Sequence, residues 1–133
     1  MSIFTYTALR ELSPGTTLSQ IVTRDIRLLT KRLQRKPKRK QNTGLSGSIE
    51  SLLLRSEKHY SCQTGVIVPR SLDEARILEF LASVENGETF TFDRYGSTAQ
   101  PDNPITCYMV SAAFNEDEVA KAFHRYGFVI REA

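Results

Sequence analysis

Two histidines, two cysteines and three groups of carboxylates are the residues of this chain that could carry acid–base, nucleophilic or metal chemistry. His59 and His124 stand in no HxxxH or CxxH arrangement, so each reads as a half-buried strand residue. Cys62 and Cys107 are far apart and have no Cys or His at metal-ligand spacing, which argues against zinc. They read as two buried free thiols, since spacing alone does not pair them. The carboxylates gather at Asp73 and Glu74, at Glu85 and Glu88, and at Glu116, Asp117 and Glu118. The first pair suits a helix N-terminus, where the dipole favours negative charge, and the last group reads as a surface loop. There is no G-x-S-x-G, P-loop or G-x-G-x-x-G. Gly44, Leu45, Ser46, Gly47 and Ser48 make a Gly/Ser-rich turn, without the Lys-Ser or Lys-Thr that would hold phosphate. The sequence therefore predicts no catalytic residue, no metal ligand and no cofactor, and a protein that is not an enzyme.

The one strong charge feature is a basic run: Lys31, Arg32, Arg35, Lys36, Lys38, Arg39 and Lys40, with no acid among them. Removing these seven cations from the formal net charge of +3 leaves about −4, so a mildly acidic domain carries one basic segment. Two readings stand side by side, a solvated loop held open by its own repulsion and an electrostatic contact with an acidic protein surface. Nucleic acid is a third partner, whose binding would fall steeply with salt. The stretch between Arg32 and Leu54 has no aromatic residue, so stacking on single strands is not supported.

The elements that must position these groups follow from periodicity. With 133 residues, 40% apolar and 25% charged, the chain suits a single domain, 1–133, with its own core. No cationic and apolar leader opens it, and no apolar run approaches the ~18 residues of a membrane span, so it is expected in the cytosol at synthesis and away from membranes. Residues 4–12 are a short strand or part of an N-terminal arm, 1–17, ended by the turn signal Ser13-Pro14-Gly15. Residues 18–33 are ambiguous. Leu18, Val22, Ile26, Leu29 and Leu33 recur at helical spacing, whereas Val22, Ile26 and Leu28 share one face of a strand, a face that would also carry Arg24. Residues 31–47 read as a long basic loop containing Pro37, and 49–64 as a long strand.

The clearest helix spans about 71–84. Ser71 and Glu74 form an S-x-x-E capping box, Ile77, Leu78, Leu81 and Val84 line one face, and Gly87 ends the helix. Phe90 and Phe92 alternate with threonines as in a half-buried strand, and Asp93, Arg94, Tyr95 and Gly96 turn the chain. Residues 105–111 are another strand, 114–118 an acidic loop, and 119–131 a last strand. That strand has apolar residues on both faces, so it belongs inside a sheet or at a subunit contact. Four to six antiparallel strands with one helix give a mainly β, α+β architecture, a sandwich or sheet with a helix packed on it.

The stretch from Ile77 through Gly87, Glu88, Phe90, Phe92, Asp93 and Tyr95 to Gly96, a helix ending F-L-x-S-V followed by x-G-E-x-F-x-F-D-x-Y-G, resembles the distal tail and minor tail proteins of tailed bacteriophages. Their fold is similar to that of tail-tube proteins. Residues 50–60 and 128–132 resemble the family's long strand and C-terminal strand, so the likeness covers roughly 20–132. It implies that 18–30 is a strand paired with 49–62 and that the basic stretch is the tip of a long hairpin. It further implies a virion protein made in the host cytoplasm, forming a hexameric ring that joins the tail tube to the tip or baseplate. The basic loop would then dock on an acidic surface of a neighbouring subunit or ring. Larger members carry a second, carbohydrate-binding-like domain, for which this chain is too short. The alternative is a nucleic-acid-binding module acting through residues 31–40.

Overall fold

A computed structural model describes residues 2–43 and 49–133, with side chains outside 39–43, 49–55 and 111–114. Seven strands and one helix follow each other as β1 Ser2–Thr7, β2 Ile21–Ile26, β3 Leu28–Thr43, β4 Ile49–Thr64, α1 Leu72–Val84, β5 Phe90–Asp93, β6 Ile105–Ala120 and β7 Phe123–Glu132. The strands form one antiparallel sheet in the order β2-β1-β5-β6-β7-β4-β3. This is the mainly β architecture with one packed helix that the sequence implies, with more strands than the four to six expected.

The order has a geometric consequence. β2 and β3 stand at opposite ends of the sheet, yet only Arg27 separates them in the chain. Consecutive Cα atoms are about 3.8 Å apart, so the two ends of the sheet meet in space. The sheet is rolled, and the chain passes from one side of the roll to the other at a bend, as strands do at the corners of β-sandwiches.

Alternate residues of each strand face the interior: Phe4 and Tyr6 of β1, Phe90 and Phe92 of β5, Tyr60 and Cys62 of β4, Tyr126, Phe128 and Ile130 of β7. α1 adds Ile77, Phe80, Leu81 and Val84. Phe80 is the hub. Its ring lies 4.7 Å from Phe4, 5.1 Å from Tyr6, 5.1 Å from Phe90 and 5.8 Å from Phe128, mostly tilted or edge-on, as ring quadrupoles prefer. Phe90 thus pins the helix to the sheet as expected. Phe92 instead packs on Phe4 (5.0 Å) and Tyr60 (5.5 Å).

The N-cap forms in part. The Ser71 hydroxyl accepts the Glu74 N–H at 3.3 Å, but the Ser71 N–H donates to the Val68 carbonyl at 3.4 Å rather than to the Glu74 carboxylate. After the helix, Gly87 takes φ +93 and its N–H closes on the Val84 carbonyl. That left-handed conformation is the reason for glycine there.

Five expectations change. First, the basic segment is not a loop: Lys31 to Lys40 stand on β3, hydrogen-bonded along β4 in register from Lys31 opposite Cys62 to Lys40 opposite Leu52. β3 is the last strand of the sheet, and an edge accommodates both cations and Pro37, which lacks an N–H to donate. Of the expected loop 31–47, residues 44–47 lie outside the described residues. Second, the N-terminal segment is not an arm. β1 is an inner strand between β2 and β5, and the residues after it lie across α1, where the Leu9 N–H donates to Ser83 Oγ at 3.0 Å. Third, residues 114–118 belong to β6, paired with β7 so that Glu118 faces His124 and Asp117 faces Arg125. Asp117 and Arg125 put opposite charges directly across an antiparallel pair, which stabilises it and lets an acidic stretch form a strand. Fourth, 18–30 is not one strand: Leu18 and Ser19 lie in a turn, with Ser19 at φ +65, Ile21–Ile26 pairs with β1, and the pairing with β4 that the resemblance implies begins only at Leu28. Fifth, 119–131 is not one strand: the chain turns at Lys121 and Ala122, so Val119 and Ala120 end β6, and the remaining strand, β7, lies inside the sheet between β6 and β4.

Candidate functional site

The turn after β5 is built around one carboxylate. Asp93 is buried; its Oδ1 accepts the Gly96 N–H at 2.8 Å and its Oδ2 the Asp102 N–H at 2.9 Å. Burial opposes its ionisation, but backbone N–H groups of Asp102, Gly96, Asn103 and Tyr95 outweigh that, and its pKa falls below the ordinary aspartate value. Gly96 is required by space. A Cβ there would overlap the Asp93 carboxylate and lie 2.7 Å from the Asp102 nitrogen. The D-x-Y-G motif is thus a self-contained structural latch.

The structure brings this turn to the start of the basic strand, two features the sequence kept apart. Lys31 Nζ donates to the Arg94 carbonyl at 3.0 Å and sits 4.8 Å from the centre of the exposed Tyr95 ring, and Ser2 Oγ donates to the same carbonyl at 3.1 Å. The Arg94 guanidinium lies 4.9 Å from Tyr95 and 5.5 Å from Tyr60. Lys31 is therefore spent on holding the turn. The remaining cations divide by strand alternation. Arg35 shares the side of Lys31 and Leu33, whereas Arg32, Lys36 and Lys38 project from the opposite side, all exposed. Arg39 and Lys40 continue the backbone of β3 opposite Leu53 and Leu52.

The ladder also defines two unpaired edges. β4 pairs with β7 only over His59 to Gln63, so from Lys36 outward β3 and the first half of β4 form a two-stranded ribbon projecting from the body. β5 pairs with β6 only as far as Cys107, so among the described residues the rest of β6 has no neighbour on that side. The strands β3-β4-β7-β6 thus make a four-stranded layer with one open edge at β3 and another along β6.

A buried polar cluster escaped the sequence. Glu79 lies mid-helix and is fully buried; Tyr6 Oη donates to its Oε1 and the Ser13 N–H to its Oε2, both at 2.6 Å, and Arg24 Nη2 is 3.6 Å away. Burial opposes its charge, yet the hydrogen bonds from Tyr6 and Ser13 prevail and lower its pKa, while burial and the Glu79 carboxylate raise that of Tyr6. Glu79 and Ser83, four residues apart, form a polar stripe beneath the segment after β1. The available signals were a carboxylate inside an apolar helical run and Arg24 on an apolar strand face: each is the other's partner.

The remaining candidates are structural. Cys62 and Cys107 are buried free thiols, each pushed up to about 12, mainly by burial. His59 is buried beside Glu57 at 3.2 Å, and His124 is half-buried against Glu116 at 3.3 Å. Among the described residues no group of three His, Cys, Asp or Glu could hold a metal ion. No helix among them is long and apolar enough to cross a membrane. A shallow cleft between the β2–β3 bend, residues 65–68 and the start of α1 is lined by Arg27, Asp73 and Arg76 with Ile26, Val66 and Val68. It presents no nucleophile paired with a base.

No protein-family model matches the chain, and no curated protein matches it. Among solved structures it is similar to a chain in the tail of an empty gene transfer agent particle, described with helical refinement and C6 symmetry. The two share 16% identity over 92% of this chain and 91% of that one, with a TM-score of 0.52. A second chain, from the virion of the native gene transfer agent particle, is also 16% identical over 80% of this chain and 79% of that one, with a TM-score of 0.48. Over nearly the full length of both chains, this protein has the fold of a chain found in the tail of that empty particle.

Proposed function

We propose that the protein is a non-enzymatic structural component of a phage-like tail, closing with copies of itself into a hexameric ring that joins the tail tube to the tip. The observation that carries this reading is the pair of open edges on one four-stranded layer, β3 at one end and β6 beyond Cys107 at the other. A head-to-tail contact between different edges closes into a ring when the rotation per subunit is right, and it covers edges that would otherwise invite aggregation. The bulk of the subunit sets the direction of curl. α1 and the β2-β1-β5 side of the roll fill the core face of the layer, so lateral extension turns the uncovered face inward. The fold likeness to a chain from a C6-symmetric tail supports six as the number, and the likeness to distal and minor tail proteins supports the junction of tube and tip. The latch at Asp93 and the Lys31 contact would fix the angle at which β3 leaves the body. Sedimentation velocity across a concentration series is the test. A discrete species of six chains is expected, and a monomer at every concentration would overturn the reading.

A further inference from the structure

The geometry points to the exposed face of the β3–β4 pair, from Arg32 out along the ribbon, as a binding surface for a phosphate-rich polyanion, double-stranded nucleic acid, which it would grip by charge without reading sequence. Arg32, Lys36 and Lys38 project from one side of β3, at separations of about 13 Å and about 7 Å by strand rise. None of the three forms an ion pair among the described residues. Glu57, which lies opposite Lys36 on the same side, is already held by Arg131 at 3.2 Å and by His59 at 3.2 Å.

From Lys36 outward the pair is a two-stranded ribbon, which is marginal by itself and gains from a partner laid along it. Phosphates fit better than an acidic protein. Protein interfaces rest on apolar and aromatic anchors and are depleted in lysine, whereas nucleic-acid interfaces are polar and strongly positive. Beside these cations the described part of the face offers Gln34 and Ser61. The outer part of the surface, from Lys36 on, is a two-stranded ribbon, which fits the width of the major groove.

This surface exists in the single chain, so it stands apart from ring formation, which sedimentation of the same samples reports separately. The test is titration of a short random-sequence DNA duplex at low and moderate salt. The wild type is expected to bind, with affinity falling as a power of salt concentration. The combined variant Arg32→Ser, Lys36→Ser and Lys38→Ser is expected to lose affinity and to flatten the slope by about 0.9 for each phosphate contact removed. The set Arg32→Lys, Lys36→Arg and Lys38→Arg is expected to keep both, as is Lys121→Ser, outside the face. Thermal melts confirm that each variant folds. Absence of wild-type binding at low salt, an unchanged slope in the serine variant, loss of binding in the charge-conserving set, or equal affinity for polyglutamate would each overturn the assignment.

Discussion

Replacing Glu79 with Gln keeps the shape of the side chain and removes its charge. In the wild type two donors at 2.6 Å converge on separate carboxylate oxygens, and Arg24 approaches to 3.6 Å. Glutamine offers one acceptor oxygen, so either the Ser13 N–H faces an amide donor or the Tyr6 hydroxyl must turn to accept from one, and Arg24 loses its carboxylate and keeps only the Thr16 hydroxyl at 3.0 Å. Losing a hydrogen bond to a charged group costs about 1.5–3 kcal/mol, and breaking a buried ion pair about 3–5 kcal/mol. The Arg24 side chain is 18% exposed and keeps some water, which places the expected loss near 3 kcal/mol. Urea unfolding at neutral pH measures it, with the midpoint falling at constant m-value. Arg24→Met with and without Glu79→Gln closes a cycle whose coupling should be about 1 kcal/mol or more. A loss below about 1 kcal/mol would refute the claim that this cluster anchors the N-terminal segment to α1. The pH dependence has a definite sign. Burial opposes the charge of Glu79, but its hydrogen bonds set its folded pKa below the ordinary 4.5. Its stabilisation is therefore complete above that value and is lost as pH falls through the folded pKa. The gap between wild type and Glu79→Gln should narrow on acidification below about pH 4.5; a gap that widens would contradict the ionised assignment.

Gly96→Ala forces the Asp93 carboxylate off its two backbone donors and is expected to cost about 2–4 kcal/mol by thermal or urea unfolding. Ala122 occupies the β6–β7 turn at φ +65, so Ala122→Gly is expected to raise stability by about 0.5–1 kcal/mol in the same assay. With their pKa pushed up to about 12, Cys62 and Cys107 should resist a thiol-specific reagent at pH 8 and react fully in denaturant; immediate labelling of either would place it outside the core.

The helix, its serine cap, the glycine after it and the Phe90–Phe92 strand were all legible in the sequence because each is decided locally. Apolar spacing, a cap and a left-handed residue lie within a few positions of one another. Residues 18–33 were not decided locally. Arg24 on the apolar face counted against a strand, and the objection fails because Glu79, more than fifty residues on, supplies the partner. The basic stretch looked like a loop because it offers little to a core. On an edge strand one face need not meet a core at all, so Lys36 and Lys38 cost nothing in burial, and Pro37 sits where the last strand tolerates it. The acidic stretch at 116–118 hid its strand for a related reason: its partners, His124 and Arg125, follow a turn the alternation pattern ran straight through. The inner position of Ser2–Thr7 depends on sheet order, which no local pattern encodes.

In the proposed assembly, copies of this chain join through their sheets, the open edge of β3 against the open edge of β6. An electron cryo-microscopy map of the purified assembly, resolved well enough to trace strands across a subunit boundary, tests it most directly. A closed six-fold ring is expected, in which the sheet runs on from one copy to the next, with α1 on the outer side. A ring held by other surfaces, with both edges left open to solvent, would contradict it.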